Sequence, residues 1–384
     1  MQGGWFTQEI LLALTSNPEV WSKTVLLVTY DENDGFFDHM PSPSAPSRRK
    51  DGSFAGKSTL GFDSELFTHP APAGSTQQPL PDGGVYGPGP RVPMLVLSPW
   101  SRGGWVNSQV FDHTSVLQFL EKRFGVREPN ISAWRRAVCG DLTSAFNFAD
   151  PNHETLPALQ TTTRQAADSL RQRQEKLLPV PLPSAGQQLA PQQQRLARPS
   201  RALPYRLHVD SQADPKARTL SLSLQNTGEQ GAVLHVYDGL HLSEIPRRYT
   251  VEAGKALQDS WPVVERYQLW VLGPNGFHRS FHGDLKTLQP ELLVTTSNSQ
   301  LQLTLSNPGE HGVVISIDRC PYTQQGPWTL AVPARGEVRQ VFAYEGSGGW
   351  YDLTLRSDGG WLRRIAGRLE TGAHSISDPL MGRA

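Results

Sequence analysis

One stretch of this chain occurs twice. "TLSLSLQNTGEQGAVLHVYD" at 219–238 returns as "QLQLTLSNPGEHGVVISIDR" at 300–319, 81 positions further on. Leu220, Leu222 and Leu224 fall on Leu301, Leu303 and Leu305, while Asn226, Gly228, Glu229 and Gly231 fall on Asn307, Gly309, Glu310 and Gly312. A second pair, "RYQLWVLGPNGFHRSFHGDL" at 266–285 and "WYDLTLRSDGGWLRRIAGRLE" from Trp350, repeats at a spacing of 84. Leucine alternating with polar residues has the period of a half-buried strand, and Asn275-Gly276 and Asp358-Gly359 are hairpin-turn dipeptides. A recurrence of this kind predicts two tandem all-β, sandwich-like modules over 201–286 and 290–371.

The first 150 residues have a different grammar. "TVLLVTYDENDGFFDHM", Thr24 to Met40, drives a continuous apolar run into Asp31, Glu32, Asp34, Asp38 and His39. The run fits a strand inside a parallel sheet covered on both faces. A short helix over residues 5–14 precedes it, and a loop from Pro41 to Gly89 follows. A second strand at 91–99 leads to a helix that Asp112 or Thr114 can cap and that Gly125 stops. This is α/β order. From 151 to 200 a polar helix and a Pro/Gln-rich linker intervene. The linker's Leu177, Leu178, Val180 and Leu182 leave two alternatives open, a free segment or one lying across a domain surface.

Two carboxylates at the carboxyl end of a parallel strand stand where open α/β sheets place ligands. Forced together they repel and desolvate, and a divalent ion between Asp31 and Glu32 relieves both effects. A solvated surface turn is the alternative. All-oxygen donors suit Ca²⁺ or Mg²⁺, whereas Zn²⁺ or Fe would want an imidazole such as His39. His113, in "FDHTS", precedes a helix, where it could hold a phosphate oxygen or protonate a leaving group, or simply bond its own loop. Ser98, Ser101 and Ser115 are nucleophile candidates only as any serine is, because no G-x-S-x-G elbow occurs.

Composition limits the partners. Lys+Arg and Asp+Glu both total 36, so no global field recruits nucleic acid. Two distant cysteines, Cys139 and Cys320, predict buried thiols rather than a disulfide framework. No apolar run approaches the ~20 residues of a membrane span, and the first residues show no signal-peptide pattern.

The blocks "WSKTVLLVTYDENDGFFDH", "YGPGPRVPMLVLSPWSRGGWVNSQVFDHTSVLQFLEKRFG" and "EPNISAWRRAVCGDLTSAFNF", followed by the paired repeats, resemble in content and order the carboxyl part of the bacterial phosphatidylcholine-hydrolysing phospholipases C. These belong with the acid phosphatases of the alkaline phosphatase superfamily. The resemblance implies an α/β fold, the carboxyl part of a doubly wound phosphoesterase domain over 1–150, followed by the two β modules. It implies phosphodiester hydrolysis at a membrane surface, releasing diacylglycerol and phosphocholine from phosphatidylcholine, or the corresponding cleavage of sphingomyelin. Asp31 and Glu32 are implied as ligands of a divalent metal ion, and His39 and His113 as groups near the phosphate. The family is exported, and its nucleophile and remaining ligands lie in a long amino-terminal portion. Only 23 residues precede Thr24 here, so half an active site and poor catalysis by this chain alone are expected. A phosphomonoesterase and a non-catalytic binding fragment are the competing functions. Exposed tryptophans among Trp261, Trp270, Trp328, Trp350 and Trp361 would favour the latter.

Overall fold

The computed structural model describes the chain apart from residues 1, 34, 36–39, 71–72, 75, 77–79, 150–159, 185, 188–195, 287, 298–299 and 382–384. Helix α1 (Gln2–Thr15) and the short α2 (Pro18–Trp21), capped by the Asn17 side chain, lead into β1 (Leu26–Thr29). Then come β2 (Ser47–Arg48), β3 (Phe54–Ser58), β4 (Met94–Leu97), α3 (Thr114–Phe124), α4 (Ala133–Val138) and α5 (Arg164–Gln174).

Two expectations need correction here. Strand β1 pairs with β4 in antiparallel register, Leu26 opposite Leu97, in a two-stranded sheet, not inside a parallel one. A continuous apolar run encodes a wish for burial but says nothing about the direction of its neighbour. Nor is the pair fully covered, since its residues are half-buried and Leu95 is exposed. The segment 41–89 is not one loop either. Ala45 and Ala55 are fully buried, and β3 runs parallel to a strand of the first β module, Gly56 opposite Arg248. Gly56 permits this approach, because at its φ of 113° a Cβ would collide with the Arg248 carbonyl.

The β region begins with β5 (Pro199–Ser200). The first sandwich contains β6 (Leu207–Asp214), β7 (Thr219–Asn226), β8 (Ala232–Asp238), β9 (Arg247–Val251), β10 (Ala256–Pro262), β11 (Arg266–Leu272) and β12 (His278–Asp284). The second contains β13 (Glu291–Ser297), β14 (Gln300–Ser306), β15 (Val313–Ile317), β16 (Trp328–Val332), β17 (Glu337–Ala343), β18 (Trp350–Arg356) and β19 (Leu362–Arg368), and β20 (Ser375–Ile376) returns to pair with β5. Each sandwich faces a three-stranded sheet, β10-β7-β6 or β13-β14-β17, onto a four-stranded one. Leu220, Leu222 and Leu224 are completely buried, as are Leu301, Leu303 and Leu305, while the residues between them point outward. Asn226 and Asn307 are buried equivalents. Each donates to the carbonyl four residues on and accepts from the glycine two residues on.

The modules are not independent beads. Their four-stranded sheets join edge to edge through β12 and β19, and β3 and β2 extend the result to ten strands. In that joint Ser280 sits opposite Arg364, its own counterpart at a spacing of 84, so the pairing has a pseudo-twofold axis. Arg279 crosses it to bond the Ala366 carbonyl at 3.0 Å and the Tyr351 hydroxyl at 3.1 Å. Its equivalent Arg363 crosses the other way, to the His282 carbonyl at 2.8 Å and the Tyr267 hydroxyl at 3.0 Å. Trp361 stacks over Arg363 as Phe277 does over Arg279.

Trp261, Trp350 and Trp361 are buried in or beside the cores, and Trp270 and Trp328 are partly buried. Both cysteines are free and buried. The linker leucines do not lie across a domain: Leu177, Leu178, Val180 and Leu182 are 69% to 94% exposed. Among the described residues no helix is long and apolar enough to cross a membrane.

The amino-terminal α/β part packs Trp134, Val138, Cys139 and Ala45 against Val233 on the outer face of the first sandwich. His235, two residues along the same strand, is buried there. Burial first and Arg248 second lower its pKa to about 3, and His278 falls to about 4 through burial and then Arg364. Both are neutral in the fold, whereas the unfolded chain takes up protons near pH 6.5. Their stabilisation is therefore complete above pH 6.5 and is lost as pH falls toward 4 and then 3. For His235 the slope reaches about 1.4 kcal/mol per pH unit. His208, His282 and His374 are lowered in the same sense, and His241, beside Asp238, is raised. Denaturant unfolding at pH 7 and pH 5 is expected to show a large loss in the parent chain and a smaller one in His235→Asn. An equal loss in both would refute the assignment.

Candidate functional site

Strand β1 ends at Thr29. Tyr30 still donates to the Pro93 carbonyl at 3.3 Å, and then the chain turns and presents Asp31 and Glu32 to solvent. The first turn of α3 arrives at the same point. His113 stands at the position before the helix with φ −61°, and its side chain makes no capping bond. Instead its Nε2 lies 3.2 Å from the Asp31 carbonyl oxygen. A bond to a carbonyl requires a proton on Nε2, so Nδ1 is the ring nitrogen left for a ligand. The exposed imidazole and two exposed carboxylates are thus gathered at the carboxyl end of β1. His39, Asp34 and Asp38 lie outside the described residues.

Neighbours fix the seat of His113. Asp112 is almost completely buried and accepts from Thr114 Oγ1 at 2.6 Å and from Arg135 Nη1 at 2.6 Å, while its N–H donates to the buried Ser115 Oγ at 3.1 Å. Arg135 also bonds Glu65 at 3.2 Å and the Gly87 carbonyl at 3.2 Å, and Ser132 donates to the other Glu65 oxygen. The side chains of Asp112 and Glu65 are only 4% and 3% exposed. Burial works against the Arg135 charge, but the two carboxylates raise its pKa. The adjacent Arg136 clamps Glu121 bidentately at 2.8 Å on both arms, drawing that carboxyl down to about 2. Consecutive arginines of α4 therefore hold the approach to α3 and its last turn.

Other candidates are occupied structurally. Ser98 is buried and meets Ser101 Oγ at 3.0 Å, Ser101 donates to the Val96 carbonyl, and Ser115 is wholly buried. Burial pushes the Cys139 thiol far above its ordinary pKa, so it is no thiolate nucleophile. Sequence reasoning missed Arg135 and Glu65. The only local signal was the Ser132 cap of α4, whose hydroxyl accepts from Arg135 N.

Among the described residues no group of three or more His, Cys, Asp or Glu side chains could hold an ion. Asp31 and Glu32 are hard oxygen donors of the right chemistry but do not close a shell of four to six.

Comparison with known proteins adds the family. The Phosphoesterase family matches residues 1–127, and the domain described as "Bacterial phospholipase C, C-terminal domain" matches twice, at 199–284 and 288–368. The chain is 48% identical to a non-hemolytic phospholipase C of Pseudomonas aeruginosa over 99% of its own length and 55% of the relative's. It is 43% identical to a non-hemolytic phospholipase C of Burkholderia pseudomallei, covering 100% of this chain and 54% of that one. A hemolytic phospholipase C of Pseudomonas aeruginosa is 39% identical, with 99% and 54% covered. The chain spans about half the length of these curated relatives. It belongs to the Phosphoesterase family over its first third and to the bacterial phospholipase C C-terminal domain family over its two β sandwiches.

Proposed function

We propose that this chain is the carboxyl part of an exported phospholipase C that hydrolyses the phosphodiester of phosphatidylcholine or sphingomyelin at a membrane surface. The observation that carries the reading is the meeting of His113 with Asp31 at the strand end, in a chain closely related over its whole length to phospholipases C. In this reading His113, in its protonated form, donates from Nδ1 to a phosphate oxygen or delivers that proton to the departing alkoxide, returning to the neutral ring, and the Asp112–Arg135 pair keeps its helix turn in place. His39 is proposed to act near the same phosphate. A divalent ion held by Asp31 and Glu32 with further donors would supply charge neutralisation on the phosphate.

The test is proton resonance of the histidine imidazoles during titration with phosphocholine and with a phosphomonoester lacking choline. His113 is expected to shift with phosphocholine, and the shift to be absent from His113→Gln. A His113 signal indifferent to both ligands would sink the proposal, and a response to the phosphomonoester alone would favour the phosphatase reading.

The reading also carries a kinetic expectation. Of the candidate serines, Ser98 and Ser101 are held by hydrogen bonds and Ser115 is wholly buried, and among the described residues the metal donors are incomplete. The 384-residue chain should turn over a choline phosphodiester far below the ordinary enzymatic range of roughly 1 to 10³ s⁻¹. Turnover inside that range, abolished by Asp31→Ala, would show that these residues suffice.

A further inference from the structure

The two sandwiches share strands, turns and cores, so a difference between equivalent loops is informative. In the first sandwich the β6–β7, β8–β9 and β10–β11 connections emerge at one end, since β7 is antiparallel to β6 and β10, and β8 to β9 and β11. The opposite end is taken up by the amino-terminal α/β part, through Gly231 N to the Ala137 carbonyl and Glu252 N to Thr59 Oγ1. The free end carries Leu240, Leu242, Ile245 and Val264, exposed by 48%, 64%, 43% and 79%. Single exposed apolar residues are ordinary, but four large ones on one tip are not.

The tip is built. Gly239 N bonds the Gln268 carbonyl at 2.7 Å, and Leu240 N and the His241 ring both bond the Asp238 carboxylate. Arg218 reaches the Val264 carbonyl at 2.7 Å, tying the outer turns together. Among the described residues the second sandwich lacks this feature. At a spacing of 81 its residues are Pro321, Thr323 and Gly326, and the same loop turns inward, with Cys320 buried and Tyr322 packed on the core. Charges of both signs border the apolar tip: Lys216, Arg218 and Arg266 beside Asp214, Glu244 and Glu265.

We infer that this end of the first sandwich is a docking tip for a zwitterionic phospholipid surface, with Leu240, Leu242, Ile245 and Val264 entering the headgroup–acyl boundary. An apolar tip bordered by balanced charge matches a lipid that is itself neutral but dipolar, whereas an anionic surface would call for an excess of lysine and arginine. The inference deepens the phospholipase reading and rests on it for the choice of occupant. It is tested by binding, which needs no catalysis.

Sedimentation of the full chain with phosphatidylcholine vesicles reads the partition directly. Leu240→Ser, Leu242→Ser and Val264→Ser are each expected to weaken it roughly tenfold. Val314→Ser, an exposed apolar position on the second sandwich, should leave it unchanged. Leu242→Trp keeps the tip apolar, and its added indole emission should move to the blue with vesicles even if a serine variant folds poorly. Unchanged emission, equal binding by parent and tip variants, or a parent indifferent to phosphatidylcholine would overturn the inference. So would binding only to vesicles containing phosphatidylserine, or tip-dependent dimerisation without lipid. Vesicle binding in a chain whose His113 ignores phosphocholine would retain the tip and reject the proposed active site.

Discussion

Arg135→Ala is expected to lower the free energy of unfolding by roughly 3 to 5 kcal/mol, the range for removing one partner of a buried ionic cluster. The cause is what the substitution leaves behind. Two carboxylates with nearly inaccessible side chains, Asp112 and Glu65, share this one guanidinium, and without it both stay desolvated with no second ion pair among the described residues. Arg135→Lys should recover only part of the loss, since one ammonium cannot reproduce the fork that spans both acids. Combining Arg135→Ala with Glu65→Gln and Asp112→Asn should restore more stability than the single changes would suggest if added. Urea unfolding of the set gives the comparison. A loss below about 1 kcal/mol, the size ordinary for exposed pairs, would mean that water reaches the cluster.

The second large effect is expected at the joint between the sandwiches. Arg363→Met and Arg279→Met should each cost about 2 to 4 kcal/mol, because each leaves a buried tyrosine hydroxyl and a carbonyl across the axis without a donor. The double variant should also divide a single unfolding transition into two, one per sandwich, in calorimetry. Among the described residues neither arginine makes a direct ion pair; aromatic faces and carbonyl dipoles meet the charge at contact distance, with Asp210 acting on Arg279 and Glu291 on Arg363 from further away. A single sharp transition in the double variant would locate the coupling elsewhere.

The β architecture was legible because alternation fixes which side of a strand is buried, and the repeat states it twice. Leu220 to Leu224 and Leu301 to Leu305 face inward as their spacing demands. Asn275 takes a positive φ of 52° beside Gly276 at 74°, the conformation that an Asn-Gly turn supplies. What pattern could not state was pairing between distant edges. Nothing in "HRSFHGD" marks β12 as the partner of β19 instead of a terminal strand. The direction of β4 against β1 was illegible for the same reason, and β3 was hidden in a Pro/Gly-rich segment until its contact with β9 revealed it. At the candidate site the acidic residues and His113 announced themselves by type. Arg135 and Glu65 did not, since they lie 70 residues apart and meet only through the fold. The link from His113 to Asp31 runs to a backbone oxygen, which no side-chain motif encodes.

The mirrored arginines have an evolutionary consequence. With Ser280 opposite Arg364, its own counterpart, the β12–β19 register is the one that two identical modules would adopt across a true dyad. In such an ancestor a single arginine per subunit would reach the carbonyl and tyrosine of its twin, and one mutation would strike both sides at once. Joining the copies in one polypeptide fixes their stoichiometry and frees each from having to match the other. The dyad then persists as an inherited scar, while the periphery of each half is open to separate specialisation. That freedom accounts for an apolar tip on one sandwich and an inward-folded loop on its twin.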